Sequence, residues 1–265
     1  MIDALPRGRN LIGRRDEAWC PPIFTPTETL GGKLVAAARR FLDLQAGSIW
    51  RDLAHLLPQC RGVVLDVGSG AQPYRPLVDP SATYRAIDSA RALSDFGYSM
   101  PETTYYEGDR WPVEDGSVDH VLCTETLEHV PDPPSFLAEA ARTLRPGGRL
   151  ILTVPFAARW HYIPHDYWRF TPTALDVLLR NAGFTDVAVY ARGNAMTVAC
   201  YKAMALVLPL LFPTSTNPVA RLLTRAVGAL FLPLLVGLAA IAGVSMAARG
   251  GDDCLGYTVT ARTSA

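Results

Sequence analysis

The residues best suited to hold a ligand lie in Gly62–Tyr74, which reads Gly-Val-Val-Leu-Asp-Val-Gly-Ser-Gly-Ala-Gln-Pro-Tyr. Val63, Val64, Leu65 and Val67 form an apolar run, as expected of a strand buried on both faces of a parallel sheet. Gly68, Ser69 and Gly70 follow at once, and a turn this small lets the backbone approach a ligand closely. A dinucleotide fingerprint needs a third glycine, and here Pro73 occupies that place. Asp66 adds a negative charge just before the turn, which repels phosphate and suits a ligand carrying ammonium and sulfonium groups. Asp88 ends the next strand-like run, Tyr84–Asp88, 18 positions beyond Gly70. An acid there can accept both hydroxyls of a ribose. The plainer alternatives are a glycine-rich turn without a ligand and a turn-forming aspartate.

Ammonium and sulfonium groups occur together in S-adenosylmethionine, and Asp66-x-Gly68-x-Gly70 resembles the first motif of class I methyltransferases. Glu107-Gly108-Asp109 resembles the end of that superfamily's third strand, which implies that Asp109 faces the adenine amine. Residues 117–133, with Leu127-Glu128-His129-Val130, resemble the fourth strand and following loop of the type 11 methyltransferase family. That likeness places Cys123, Thr124 and Glu125 beside the methionine end of the cofactor. Glu128 and His129 are either catalytic or a structural pair that orders the loop. Leu144-Arg-Pro-Gly-Gly-Arg-Leu150 matches what the family shows before its fifth strand, and the likeness spans about residues 62–183. The resemblance implies a Rossmann-like, doubly wound α/β fold: a seven-stranded sheet whose last strand is antiparallel. It implies methyl transfer from S-adenosylmethionine, with Asp66, Gly68, Ser69, Gly70, Asp88, Asp109 and Thr124 on the cofactor.

Acceptor chemistry falls to the run Trp160–Pro172, which packs two histidines and five aromatic rings into 13 residues. Its His-Asp-Tyr-x-Arg-Phe-Thr portion resembles methyltransferases of glycan and glycolipid biosynthesis. A sugar hydroxyl is a poor nucleophile near neutral pH, and histidine is the side chain best matched to take its proton. His165, with Asp166 next to it, is the expected base and His161 the second choice. Asp166 serves His165, the loop or the acceptor. The alternative is a lid in which His165 merely bonds the backbone.

The elements that must position these groups follow from periodicity and punctuation. Residues 1–30, with four prolines, read as a flexible leader. Helical spacing from Lys33 to Leu42 and again from Trp50 to Leu57 predicts helices that cover the sheet or the ligand. Ser135 and Thr173 are expected to cap helices, the first ended by Gly147-Gly148. The catalytic domain is expected over residues 31–200 and a hydrophobic helical insertion over 201–250. Residues 251–265 then return as the last strand. Within the insertion, Ala226–Ala248 carries no charge over 23 positions, enough by length to span a bilayer. A single crossing would separate the last strand from its sheet. A helical hairpin in one leaflet or on a membrane surface avoids this, and a soluble cap or dimer interface is the alternative.

The chain's 265 residues carry 25 basic and 25 acidic side chains, which gives no nucleic-acid footprint. Five scattered cysteines without a C-x-x-C pair support neither a disulfide framework nor a metal site. The expected setting is cytoplasmic, at the inner face of the membrane. The function these features favour is O-methylation of a small-molecule, sugar or lipid-linked acceptor. C-methylation of a quinone-like lipid and a non-catalytic membrane scaffold are the alternatives.

Overall fold

The computed structural model describes residues 11, 13–15, 17, 29–97 and 99–265, so the expected leader lies almost wholly outside the described residues. Seven strands form one sheet: β1 (Val63–Val67), β2 (Thr83–Ser89), β3 (Thr103–Tyr106), β4 (Val118–Thr124), β5 (Leu144–Pro155), β6 (Phe184–Arg192) and β7 (Gly256–Thr263). Their spatial order is β3-β2-β1-β4-β5-β7-β6, parallel except for β7, which runs antiparallel to β5 and β6. This is the expected Rossmann-like sheet. Strand order reverses between β1 and β4, so a crevice opens beyond their carboxyl ends, where ligands bind in open α/β sheets.

Alternate residues of the central strands feed opposite layers, as the two-residue period requires. Leu65, Val121, Leu150 and Leu152 enter one core, shared with helices α4 (Pro133–Thr143) and α5 (Pro172–Asn181). Val64, Leu122 and Ile151 enter the other, against Ile49, Leu53 and Leu57 from helix α2 (Leu44–Leu56) and the turn after it. Helix α1 (Leu30–Leu42) buries none of its residues, and helix α3 (Ala90–Phe96) follows β2.

Three local expectations shift. Helix α4 is capped by Asp132, which accepts from the Ser135 amide at 3.3 Å, because Pro133 and Pro134 can open a helix but cannot supply that amide. Likewise Thr171, followed by Pro172, caps α5 in place of Thr173, accepting from Ala174 N at 3.2 Å. Gly147-Gly148 does not end α4: Leu144 is already extended and pairs with Val118, so the glycines fall inside β5.

The insertion between β6 and β7 comprises α6 (Ala195–Leu211), α7 (Pro218–Leu230) and α8 (Leu232–Ser245). Leu235, Ala239 and Ala242 of α8 lie on one face and pack with Val198, Met204 and Val207 of α6 over Leu44 and Leu255. The uncharged run Ala226–Ala248 is not one span. It bends by 50° at Phe231, where Pro233 enters the first turn of α8 without an amide to continue the α7 ladder. Among the described residues no single helix is long and apolar enough to cross a membrane. The outer faces nevertheless leave Val219, Leu222, Leu223, Leu230, Leu234 and Val244 exposed.

Candidate active site

The turn after β1 is held in place by backbone and by Asp88. Gly68 and Gly70 have φ of 68° and 51°, in the left-handed region that glycine enters without steric cost. Gly68 N and Ser69 N both donate to Ile87 O, at 3.0 and 3.3 Å. Asp88 Oδ2 accepts from Gly70 N at 2.9 Å and Oδ1 from Ser89 N at 2.7 Å. Burial raises the Asp88 carboxyl above its ordinary value, and these two amides oppose the rise. The requirement at Gly68 comes partly from within the fold: a Cβ there would lie 2.4 Å from both Cγ2 and Oγ1 of Thr126.

Asp66 does not reach the cavity wall. It is buried beneath the turn, accepts from the Tyr84 hydroxyl, and has no partner for Oδ1 among the described residues. Burial pushes its carboxyl up to about 7, against the pull of the Tyr84 hydrogen bond. Ser69 does line the cavity, with a buried Oγ that has no partner.

One cavity of about 1360 Å³ runs from this turn to the aromatic loop. Gly68, Ser69, Gly70 and Asp88 line one end, and Asp109 and Thr124 line the side. Lys33, Arg39 and Arg40 bring α1 over the opening, so the first helix does cover the ligand space. Tyr106 and Trp50 also line it. Nothing in their local spacing separates them from ordinary core aromatics. Glu125 adopts φ 49°, uncommon for a non-glycine residue, and Oε1 accepts from buried Arg192 Nη2 at 2.8 Å.

His129, His161 and His165 line the far end. Asp166 does not serve His165. Its Oδ2 lies 3.1 Å from His161 Nδ1 and accepts from the His161 amide at 3.0 Å, and both carboxylate oxygens accept from Arg169. Burial opposes ionisation of Asp166, but the bonds from His161 and Arg169 win and hold the carboxyl well below the usual range. His165 Nδ1 instead sits 3.3 Å from Arg91 Nη1 and 3.3 Å from the Tyr167 hydroxyl. A guanidinium only donates, so this nitrogen acts as acceptor toward it. The carboxylate-oriented imidazole is therefore His161, not His165. His161 Nδ1 also lies 3.0 Å from Arg159 O and 3.4 Å from Arg169 Nη2; the two nearest groups, Asp166 Oδ2 and Arg159 O, are both acceptors, which assigns the ring proton to Nδ1.

The pair Glu128-His129 orders the loop, but through unequal means. His129 Nδ1 donates to His165 O at 2.7 Å, and Glu128 O accepts from Tyr167 N at 2.9 Å. Among the described residues the fully buried Glu128 carboxylate has no hydrogen-bond partner at either oxygen. From the leader, Glu17 Oε1 accepts from Tyr162 N at 3.0 Å and so braces the same loop.

The methyltransferase-domain family matches residues 39–189, more than half of the chain. The chain belongs to this methyltransferase-domain family. Among curated relatives, a ubiquinone biosynthesis O-methyltransferase of Xanthomonas oryzae pv. oryzae is 52% identical over 99 residues, covering 34% of this chain and 41% of that protein. An uncharacterized methyltransferase of Mycobacterium bovis is 39% identical over 127 residues, covering 47% of this chain and 43% of the relative. The chain thus spans less than half the length of these relatives. A solved SAM-dependent methyltransferase from Archaeoglobus fulgidus shares the fold at TM-score 0.50 and 18% identity, over 87% of this chain and 94% of its own.

S-adenosylmethionine is the methyl donor of this methyltransferase family. The residues at the glycine-loop end of the cavity fit it. Asp88 keeps spare lone pairs for ribose hydroxyls after accepting its two amides, and the Ser69 hydroxyl is unclaimed. Asp109 lies on the cavity side, where the resemblance sets the adenine amine. Asp66, buried one step behind the turn, is not among the residues that line the cavity.

Proposed function

We propose that this methyltransferase-family protein methylates an oxygen of a sugar or lipid-linked acceptor at the cytoplasmic face of a membrane. The observation that carries the reading is the single cavity joining the Gly68–Asp88 loop to the histidine cluster. Its volume exceeds the roughly 300–1,000 Å³ of an ordinary small-molecule pocket, so it has room for donor and acceptor together. The bound donor supplies an electrophilic methyl group. The protein's work is to hold the acceptor oxygen in line with it, exclude water and accept a proton at the acceptor end. His161 meets the last requirement better than His165: its Nδ1 proton is committed to Asp166 and Arg159, which leaves Nε2 as a lone pair. His165, beside Arg91 and Tyr167, is placed to hydrogen-bond the acceptor.

The membrane part of the reading rests on the insertion. The exposed apolar residues of α7 and α8 support an interaction site on the insertion. Exposed leucines and valines on α7 are interspersed with exposed Arg221 and Arg225, the composition of a helix lying at a headgroup boundary. The names of the relatives favour a second acceptor, the hydroxyl of a quinol-type lipid.

The test is incubation with isotopically labelled S-adenosylmethionine and a lipid or glycan extract, with quinol lipids as a separate arm, followed by mass spectrometry. Label on an oxygen of an extract component supports the reading. Label on carbon transfers the assignment to C-methylation, and no label in any arm removes methyl transfer to these classes.

A further inference from the structure

Glu128, His129 and His161 each present an atom able to ligate a metal, and the three atoms lie within 4.8 Å of one another. The arrangement poses an electrostatic problem. His129 gives its Nδ1 proton to His165 O, so its neutral ring faces Glu128 with a bare Nε2, 3.5 Å from Oε1. His161 likewise commits its Nδ1 proton, leaving Nε2 bare. Glu128 is fully buried and both its oxygens lack a partner. Three potential ligand atoms therefore converge, and among the described residues neither Glu128 oxygen has a hydrogen-bond donor. Burial disfavours ionisation of such a carboxyl, so it is held as the carboxylate only if something positive occupies the gap.

We propose that Glu128, His129 and His161 bind a divalent zinc-class cation whose open coordination position faces the cavity. Two imidazoles and one carboxylate form the donor set of a catalytic zinc site with a vacant fourth position, whereas magnesium and calcium favour oxygen-only sets. The surroundings have the expected supports as well. Each ligating ring hands its other N–H to a backbone carbonyl or a carboxylate, as metal-bound histidines almost always do. The site stands on this geometry alone. Its role, binding the acceptor's oxygen and lowering the pKa of that hydroxyl, rests on the oxygen-methylation reading; with the ion bound, His161 Nε2 is a ligand and the ion takes over the activation otherwise assigned to that lone pair.

The experiment uses the full chain, stripped with a chelator and titrated with Zn²⁺ against a chromophoric competitor near neutral pH, with neither donor nor acceptor present. One equivalent of zinc should bind. Glu128→Gln and His161→Ala should each weaken it at least tenfold, since even the outer partners of such ligands are worth 10–100-fold. His55→Ala, at an exposed position of α2, should leave it unchanged. Substitution by Co²⁺ should produce a visible ligand-field absorption that His161→Ala abolishes, and His161 is exposed enough for that truncation to spare the core. Absence of stoichiometric binding would overturn the proposal and leave a proton in the gap. Binding that survives both variants would overturn it equally. Because the titration contains no methyl donor, its outcome is independent of whether oxygen methylation is correct.

Discussion

Gly68→Ala offers the sharpest test of how the glycine turn is built. The alanine must hold φ near 68°, which costs an L-residue about 1–2 kcal/mol. Its Cβ would also sit 2.4 Å from Cγ2 and Oγ1 of Thr126, closer than any real contact, so Thr126 must rotate away. That rotation breaks the 3.0 Å bond from Thr126 Oγ1 to Thr124 O, worth about 0.5–1.5 kcal/mol net. The expected loss is about 1.5–3.5 kcal/mol, read from urea unfolding of the cofactor-free protein. Thr126→Ala deletes both 2.4 Å contacts and leaves only Cβ, at 3.0 Å. In that background Gly68→Ala should cost about 1–2 kcal/mol, the conformational part, for a coupling of about 0.5–1.5 kcal/mol. Equal costs of Gly68→Ala in the two backgrounds would refute the assignment of Thr126 as the neighbour that demands glycine.

Asp66→Asn should stabilise the cofactor-free protein at pH 8 and hardly at pH 4. With its carboxyl raised to about 7, the folded state holds a proton that the unfolded chain releases near pH 4, so the native protein loses up to ~4 kcal/mol as pH rises through that window. Unfolding midpoints of both proteins across pH 4–8 check this, and parallel curves would sink it. His161→Ala should lower turnover about 10²-fold or more and His165→Ala less than tenfold, measured at saturating donor, with the reverse order restoring His165 as the principal group. Leu222→Glu combined with Leu230→Glu, at positions 69% and 80% exposed, should abolish flotation with anionic phospholipid vesicles while leaving the unfolding midpoint within about 0.5 kcal/mol. Wild-type protein that fails to float would end the membrane reading.

The sheet was legible because its strands obey a strong rule: runs such as Val63–Val67 must be apolar on both faces, and the turn after them must be small. Asp88, Asp109 and Thr124 were legible for a related reason, since a parallel sheet puts the carboxyl ends of successive strands on one rim. Contacts made by a folded-back loop were not. Adjacency suggested Asp166 with His165, yet the loop turns so that Asp166 meets His161, five residues earlier, and Arg169. Helix starts slipped by two or three residues because Ser135 and Thr173 are as capable of capping as Asp132 and Thr171. The prolines beside the true caps were the deciding signal. In the insertion, hydropathy carried no trace of the bend at Phe231, although Pro233 did. Glu128 looked like one half of a hydrogen-bonded pair, and only the three-dimensional arrangement reveals that its carboxylate has no partner.

The central claim is that the cavity holds S-adenosylmethionine against the glycine turn with Asp88 on the ribose, and calorimetric titration of that cofactor tests it most directly. Wild-type protein should bind one equivalent. Asp88→Ala, with its fold verified by circular dichroism, should bind about 10–100-fold more weakly, the effect of losing one charge-assisted hydrogen bond of roughly 1.5–3 kcal/mol. No binding by the wild-type chain, or equal affinity in the folded variant, would contradict the account.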